Sequence, residues 1–452
     1  MSSSSRSVSP ARFTSAQVIL WPLLTLLLLW VGHHVLQAVN RAYPFDCPRY
    51  WPFSVFDPRV PRVVDCIVAL LVFGMGFWGW QAVARRGFST RSVAALGLLL
   101  VLGTNAVQGV PKGFGYPVMG GPKSREQYYQ DLWRVESAPG FLRNFNQTQP
   151  DLRMHARTHP PGAVLLFYGL QKATGDRPPL MGICIAFFST LLTVDAMRRL
   201  LRNVLNAETD FAGYGTLLLL ALPAVQVYYC ASVDAVIAAL LLWAIAVYAE
   251  PPTPRRTAIV FGAFGLATFL TFGSAWAVPV FFFLDVHRRS WPRFMVLMVA
   301  LVVGYALLYY LTGYNEWAAL RTASRLENPD GFRPLVEPRD WALTRLENVS
   351  EIAAFFGPFL LVLLCRGLSA LRRENSFAFA LIAVAVGTLL GLFLIGAYHT
   401  GETARACLFV WSYLLLPVLA VLRHVSETER RTVFLLVLAQ TLGMQLVGTW
   451  FW

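Results

Sequence analysis

The most polar stretch of this largely apolar chain begins at Tyr128-Tyr129-Gln130-Asp131. A carboxylate that is partly removed from water can accept a proton from a hydroxyl nucleophile, which makes Asp131 a candidate general base. The simpler interpretation is a solvated loop acid, because most aspartates are exposed. Asp151, further along the same stretch, competes for the same chemical role.

Two histidines follow in the segment His155-Ala156-Arg157-Thr158-His159-Pro160-Pro161-Gly162. Their i, i+4 spacing would place both rings on one face of a helix. A metal site needs a third ligand, and the neighbouring sequence offers none, while Pro160 disfavours helical geometry at His159. We predict that His155 and His159 bind substrate or position the loop and that they hold no metal. The alternative is that both are interfacial residues without a function.

Glu402 and Arg405 stand three residues apart, just before a late apolar run. One interpretation is a local ion pair, which contributes little to stability if it is exposed. The other is a phosphate site, because a guanidinium binds phosphate oxygens through two parallel hydrogen bonds. The second interpretation suits a lipid phosphate that enters from the bilayer.

Apolar residues make up 56% of the 452 residues, and charged residues only 14%. Soluble domains carry about 25% charged residues, so the recurrent apolar runs predict an all-α, polytopic helical membrane protein. The net charge of +13 does not indicate nucleic-acid binding, because the arginines separate the apolar runs instead of forming one basic face. The sequence also lacks the motifs of nucleotide-binding proteins and zinc proteases.

Arginines in the short connections give the orientation, since positively charged loops face the cytoplasm. They all fall on the side of the N-terminal tail, 1–15, and 16–452 then forms one transmembrane domain. We predict eleven to thirteen spans, each needing roughly 20 apolar residues. They lie near 16–39, 63–83, 92–109, 178–196, 212–230, 235–249, 257–272, 274–286, 294–312, 352–365, 376–396, 405–422 and 432–449.

This orientation places three loops, at about 108–177, 314–351 and 398–405, outside the cytoplasm. The first two are long and contain tryptophans, which favours short helices on the membrane surface over disorder. One such helix is predicted from Pro161 to Leu170. Gly273-Ser274 is predicted to form a tight turn between two half-length helices.

Four aspartates border the apolar runs, where carboxylates are functional candidates. Asp195 and Asp285 lie near cytoplasmic arginines and are expected to pair with them. Asp65 and Asp234 lie at outer ends of spans, where they can share a cavity with Asp131.

Two N-x-S/T sequons, at Asn146 and Asn348, also fall on the outer side. They are potential glycosylation sites if the protein passes through a eukaryotic secretory pathway.

Three of these segments resemble parts of the GT-C superfamily of polytopic glycosyltransferases. They are Tyr128-Tyr129-Gln130-Asp131, the His159-Pro160-Pro161-Gly162 end of the histidine segment, and Gly401-Glu402-Thr403-Ala404-Arg405. The last is similar to a segment of mannosyltransferase-like proteins. Asn348 to Pro358, which leads into a span, also fits the layout of the superfamily.

The resemblance implies transfer of a sugar from a polyprenyl- or dolichyl-phosphate donor to a glycan, protein or lipid acceptor, with inversion. Asp131 would be the base, and Arg405 and Arg157 would bind the phosphate. Tyr129, His155, His159 and Glu402 would complete the substrate site. The residues give no support for a divalent metal, and no nucleic acid is implied.

Two other classes of function remain open. A multi-pass transporter or flippase for a polar or lipid-linked solute would also combine many spans with an outer polar cavity, although the sequence shows no clear internal repeat. A non-catalytic membrane assembly subunit would tolerate alanine at Asp131, His155 and His159 together.

Overall fold

The computed structural model describes residues 15–44, 51, 53, 56–121, 126–289, 291–396 and 402–450. These residues are almost all helical, which confirms the all-α class. The helices are, in chain order, α1 Ser15–Ala42, α2 Val63–Arg85, α3 Thr90–Ala106, α4 Tyr116–Met119, α5 Ala138–Thr148, α6 Met154–Arg157, α7 Gly162–Thr174, α8 Pro178–Leu205, α9 Thr209–Ala221, α10 Pro223–Tyr228, α11 Val233–Tyr248, α12 Pro254–Leu270, α13 Ala277–Arg288, α14 Trp291–Thr312, α15 Glu316–Glu327, α16 Arg333–Val336, α17 Pro338–Phe356, α18 Pro358–Glu374, α19 Ser376–Leu394, α20 Thr403–Ala406, α21 Trp411–Leu422 and α22 Glu427–Val447.

Tighter or wider helical turns and one small sheet complete the described part of the chain. Two short strands, β1 Asp57–Pro58 and β2 Gly448–Thr449, pair antiparallel. The short turns are a π-helical segment, Pro111–Gly115, and the 3-10 segments Tyr128–Arg134, Gln149–Asp151, Phe272–Trp276 and Leu408–Val410.

Among the described residues, four helices are long and apolar enough to cross a membrane: α2, α8, α14 and α19. The helix α14 is the clearest case, because only 6% of its most apolar window is buried within the protein. A helix that exposes apolar side chains on nearly every face requires an apolar surrounding. The length and composition of these four helices are those of membrane spans, whereas the count of eleven to thirteen spans stays a prediction.

Two further pairs of helices reach the length of a span only as bent units. The helix α3 and the segment Pro111–Met119 meet at 120°, and α17 and α18 meet at 96°. At the second bend Gly357 has φ +106°, a conformation that side chains disfavour, and Pro358 starts the new helix. The predicted span at 352–365 is therefore not one straight helix, because the bend falls inside it.

The predicted span at 212–230 is also divided. The helix α9 ends at Ala221, and Pro223 begins α10, because a proline lacks the N–H that a continuing helix would need.

By contrast, two local predictions are confirmed. The helix α7 covers the predicted surface helix, and a 3-10 turn separates α12 from α13 at Phe272–Trp276.

The helix α11 forms the centre of the fold. It is apolar around its whole circumference, packs against α8 and α12, and is buried along nearly all of its length. Burial on every side is the expected position for a helix without a polar face. The first turn of α11 therefore presents Asp234 to a largely enclosed region.

Candidate functional site

Tyr128 links the segment Tyr128–Arg134 to the histidine segment and to α7. It opens the 3-10 segment Tyr128–Arg134 and is 6% exposed. Its ring centroid lies 5.5 Å from that of His159 and 6.1 Å from that of His155. It also stacks on Phe167 of α7 at 5.8 Å. Aromatic contacts at these separations stabilise the packing, so the position of Tyr128 and those of the two imidazoles are coupled.

The short helix α6, which carries His155, is held at its N-terminus by two carboxylates. Asp131 Oδ2 accepts a hydrogen bond from the backbone N–H of Arg153 at 2.9 Å. Glu126 Oε2 accepts one from the backbone N–H of Met154 at 3.0 Å. The first N–H groups of a helix have no partner within the helix, so carboxylates stabilise them. We name this pair of contacts the α6 clamp.

One hydrogen bond defines the tautomer of His159. His159 Nδ1 lies 2.9 Å from the carbonyl oxygen of His155 and must donate, because a carbonyl only accepts. Burial lowers the pKa of His159, and burial together with the charge of Arg405 lowers the pKa of His155 to about 3. Both rings are therefore neutral at physiological pH, and His159 Nε2 is left as an acceptor.

Arg405 on α20 lies between two carboxylates. Its Nη2 donates a hydrogen bond to Glu402, and its Nε lies 3.4 Å from Asp234 Oδ2. All three side chains are mostly buried, with 12% of Arg405, 13% of Glu402 and 16% of Asp234 exposed. Two carboxylates thus surround one guanidinium in a confined space, where electrostatic interactions are stronger than in water.

The histidines, the tyrosine and the ion pairs form one electrostatic unit. Burial raises the pKa of Tyr128 well above its usual value, the charge of Asp234 adds to this and that of Arg405 opposes it. The same two charges act on both imidazoles. We name this unit the Arg405 cluster; its members are Tyr128, His155, His159, Asp234, Glu402 and Arg405.

The helix α17 fixes the segment that carries Arg405. Asn348 donates a hydrogen bond to the Thr403 hydroxyl, and the backbone N–H of Ala404 donates to Glu351 Oε2 at 3.2 Å. Asn348 and Glu351 are fully buried. Glycosylation requires an exposed asparagine, so the prediction of a glycosylation site at Asn348 is wrong in this fold.

The other sequon is engaged in a different contact. Asn146 Oδ1 accepts a hydrogen bond from the backbone N–H of Asn315, and its Nδ2 donates to the Asn315 carbonyl oxygen, both at 2.8 Å. A glycan on Nδ2 would have to fit beside the backbone of Asn315. The Asn146 side chain ties α5 to Asn315, the residue before α15.

Four of the predicted site residues, His155, His159, Glu402 and Arg405, come together in the Arg405 cluster. Asp131 instead contacts Arg153 and, at 3.5 Å, Arg134. Burial raises its pKa, although both contacts oppose this. Its role as a base stays a prediction, and its observed contacts are those of a positioning residue.

Tyr129 and Arg157 also make contacts outside the Arg405 cluster. The Tyr129 hydroxyl donates to Asp176 Oδ1 at 2.6 Å. Arg157 ends α6, and its carbonyl accepts a hydrogen bond from Gln149 Nε2 at 2.9 Å. Within the part of the chain that the structure describes, neither residue has a recorded contact with Arg405. Gly401, the first residue of the late motif, lies outside the described residues.

Sequence reasoning missed three contributors to the site. Tyr128, rather than Tyr129, faces the histidines, and Glu126 completes the α6 clamp. Glu351 supports α20 from inside α17. Tyr128 lies three residues before Asp131. In a 3-10 helix, side chains three residues apart lie on the same face, so a predicted 3-10 turn here could have identified Tyr128.

The other three aspartates that border apolar runs bind partners away from this cluster. Asp65 is paired with Arg59 and Arg62, and a cavity that it shares with Asp131 stays a prediction. Asp195 pairs with Arg199 at 2.7 Å, as expected. Asp285 accepts hydrogen bonds from the Tyr248 hydroxyl and the Phe294 N–H, and its charge acts on Arg288 and Arg293, as expected.

In the described ranges, no three histidine, cysteine, aspartate or glutamate side chains are arranged to hold a metal ion. Comparisons with protein-family models, with curated proteins and with solved structures find no match to this chain. The site must therefore be interpreted from its own geometry and chemistry.

The neutral state of His155 predicts a pH dependence of stability. Its pKa is about 3 in the folded protein and 6.5 in an unpaired imidazole, so the unfolded chain binds the additional proton between these values. Stability is full above pH 6.5 and falls towards pH 3, by at most about 1.4 kcal/mol per pH unit from this group. Thermal unfolding of the wild type between pH 7.5 and 4.5 should show this slope.

His155→Gln should weaken that slope, and His424→Gln, at an exposed position, should keep it. The comparison isolates His155 from Glu402, whose pKa is raised by burial and which acts in the opposite direction. Equal slopes in the wild type and His155→Gln would contradict the assignment of a buried neutral imidazole.

Proposed function

We propose that this chain is an integral membrane glycosyltransferase of the GT-C type. It moves a sugar from a polyprenyl-phosphate donor to an acceptor hydroxyl on the extracytoplasmic side, with inversion. The transmembrane domain is 16–452, with eleven to thirteen spans and a cytoplasmic tail at 1–15. The mannosyltransferase-like motif at Glu402 and Arg405 makes a hexose the expected sugar.

The observation that carries this proposal is the composition of the Arg405 cluster. The charge of a mostly buried guanidinium acts on two neutral imidazoles and on the tyrosine that contacts them, and these groups come from chain segments far apart in sequence. Guanidinium groups recognise phosphate oxygens, and imidazole and phenol groups exchange hydrogen bonds with sugar hydroxyls. The cluster therefore offers partners for both halves of a sugar phosphate.

The charge of the cluster sets a condition on binding. Glu402 and Asp234 already occupy the guanidinium of Arg405. An anionic phosphate can approach Arg405 only if it replaces a carboxylate as the partner of the guanidinium. Once bound, the phosphate would be stabilised by Arg405 as negative charge develops on the departing oxygen.

The exposed apolar helices support a lipid-linked donor over a free nucleotide sugar. The helix α14 presents apolar side chains to its surroundings along most of its length. A polyprenyl chain can remain in the bilayer while its phosphate reaches a polar cluster at the edge of an apolar segment. This arrangement needs no separate cavity for the lipid.

A transporter or flippase is the second candidate, because of the two bent helix pairs. Discontinuous helices are common in transporters, where they line the solute site. The pair α17 and α18 includes the residues that support α20. The transporter hypothesis predicts movement of a solute across the membrane without any new covalent bond.

The two functions differ in a direct assay of the purified protein. Incubation with radiolabelled polyprenyl-phosphate hexoses and membrane extract should yield labelled glycan, glycoprotein or glycolipid. His159→Ala should lower this rate at least about tenfold, because a hydrogen bond to the sugar is lost. His424→Ala, at an exposed histidine, should leave it unchanged. Solute uptake into proteoliposomes, with no transfer from any donor, would refute the proposal.

A further inference from the structure

Asp234 is the carboxylate that the members of the Arg405 cluster share. It lies in the first turn of α11, where the Ser232 hydroxyl donates to its Oδ2 at 2.8 Å. Its charge acts on Tyr128, His155 and His159 alike. Of the two acids that contact Arg405 in the described part of the chain, Glu402 lies on the same turn of the chain, whereas Asp234 comes from the distant helix α11.

The two contacts of Arg405 differ in strength. Glu402 is three residues away on the same turn, and it receives a hydrogen bond from Nη2. Asp234 lies 3.4 Å from Nε, and that Nε makes no hydrogen bond within the described structure. Coulomb attraction without a hydrogen bond is the weaker form of the pair. A competing anion would therefore displace Asp234 before Glu402.

We propose that the donor phosphate takes the place of Asp234 on Arg405, and that the released Asp234 carboxylate is the proton acceptor of the reaction. This inference rests on the proposed transferase function and assigns its base. It also gives the ion pair a purpose in the unliganded protein, since Arg405 holds the carboxylate until the donor arrives.

The reaction step is balanced with these groups alone. The acceptor hydroxyl loses its proton to Asp234 while its oxygen forms a bond to the anomeric carbon. The bond from that carbon to the phosphate oxygen breaks, and its electron pair stays on the phosphate. Polyprenyl phosphate leaves with one more negative charge, which Arg405 stabilises, and Asp234 ends the step protonated.

Asp131 has a different role in this scheme. With Glu126 it forms the α6 clamp, and so it positions His155 and His159 without contacting the substrate. An asparagine at position 131 keeps a side-chain oxygen that can accept the Arg153 N–H. An asparagine at position 234 cannot accept a proton from a hydroxyl. The matched substitutions Asp131→Asn and Asp234→Asn therefore separate positioning from proton transfer.

The experiment measures sugar transfer and binding of undecaprenyl phosphate for both variants and the wild type. Asp234→Asn should lower transfer by about 10²–10⁴-fold. It should also bind undecaprenyl phosphate about fivefold more tightly, because the competing carboxylate is gone. Asp131→Asn should keep transfer within about tenfold of the wild type, with its pH profile unchanged. Inorganic phosphate, as a second probe, should bind far more weakly than the lipid.

The outcomes distinguish this inference from the proposed function. Loss of transfer in Asp131→Asn with retention in Asp234→Asn would make Asp131 the base and overturn the inference alone. Weaker lipid binding by Asp234→Asn would disprove the exchange on Arg405. If the wild type transfers no sugar but Asp234→Asn still binds the lipid phosphate more tightly, the exchange stands and the transferase function falls.

Discussion

Replacing Arg405 with methionine should abolish sugar transfer and destabilise the protein at the same time. Under the proposed function transfer should fall by at least about 10²–10³-fold, because the donor phosphate would lose the group that stabilises its developing charge. Stability should fall by about 3–5 kcal/mol, since the substitution leaves two mostly buried carboxylates without their counter-charge. Transfer assays and thermal unfolding in the same detergent would measure both effects.

A neutralised variant separates the two losses. In the triple variant Arg405→Met, Glu402→Gln, Asp234→Asn no charge is left uncompensated, so most of the lost stability should return while transfer stays absent. Arg85→Met, at an exposed arginine, should change neither quantity. Transfer by Arg405→Met within tenfold of the wild-type rate would exclude Arg405 from phosphate binding.

The second large effect is expected at Gly162, where α7 begins. A Cβ atom there would lie 2.2 Å from the carbonyl oxygen and 2.8 Å from the carbonyl carbon of Phe269. Both are backbone atoms near the end of α12, which cannot rotate aside. Gly162→Ala should therefore displace α7, with a cost of about 1–3 kcal/mol or more. Because Phe167 on α7 stacks on Tyr128, transfer should fall as well.

Gly169→Ala is the matched control, because it lies on the same helix and its Cβ would meet no atom within 4 Å. Alanine favours helix over glycine by about 1 kcal/mol, so this variant should be as stable as the wild type or more stable. Equal melting temperatures for the two alanine variants would show that the close approach of α7 to α12 is not required.

The sequence predicted the all-α class and several residues of the Arg405 cluster. It did not predict which residues these side chains contact. Long apolar runs can fold only as helices in a membrane, and the spacing of Glu402 and Arg405 places them on one turn. The breaks at Gly357 and Pro223 were harder to foresee. The mean hydropathy of a stretch of about 20 residues hardly changes when one glycine or proline within it bends the backbone.

The role of Asp131 shows a second limit. Its residue type and its position in a polar loop are compatible with a base, and only the structure shows that a backbone N–H already binds its carboxylate. Asp234 shows the reverse case. The sequence marked it as one of four acids at apolar borders, but its pairing with Arg405 depends on contacts between segments that are distant in the chain.

The pairing of Asp234 with Arg405 also constrains the order in which the protein can be assembled. Arg405 emerges from the ribosome roughly 170 residues after Asp234, which at about 5–20 residues per second is a delay on the order of ten seconds. During that time the acid at the head of α11 has no counter-charge, and the surrounding helices cannot close over it without a penalty. The central helix should therefore remain hydrated at this end until the last third of the chain has been inserted. A ribosome that stalls before Arg405 would leave Asp234 without the guanidinium that it pairs with in the complete fold.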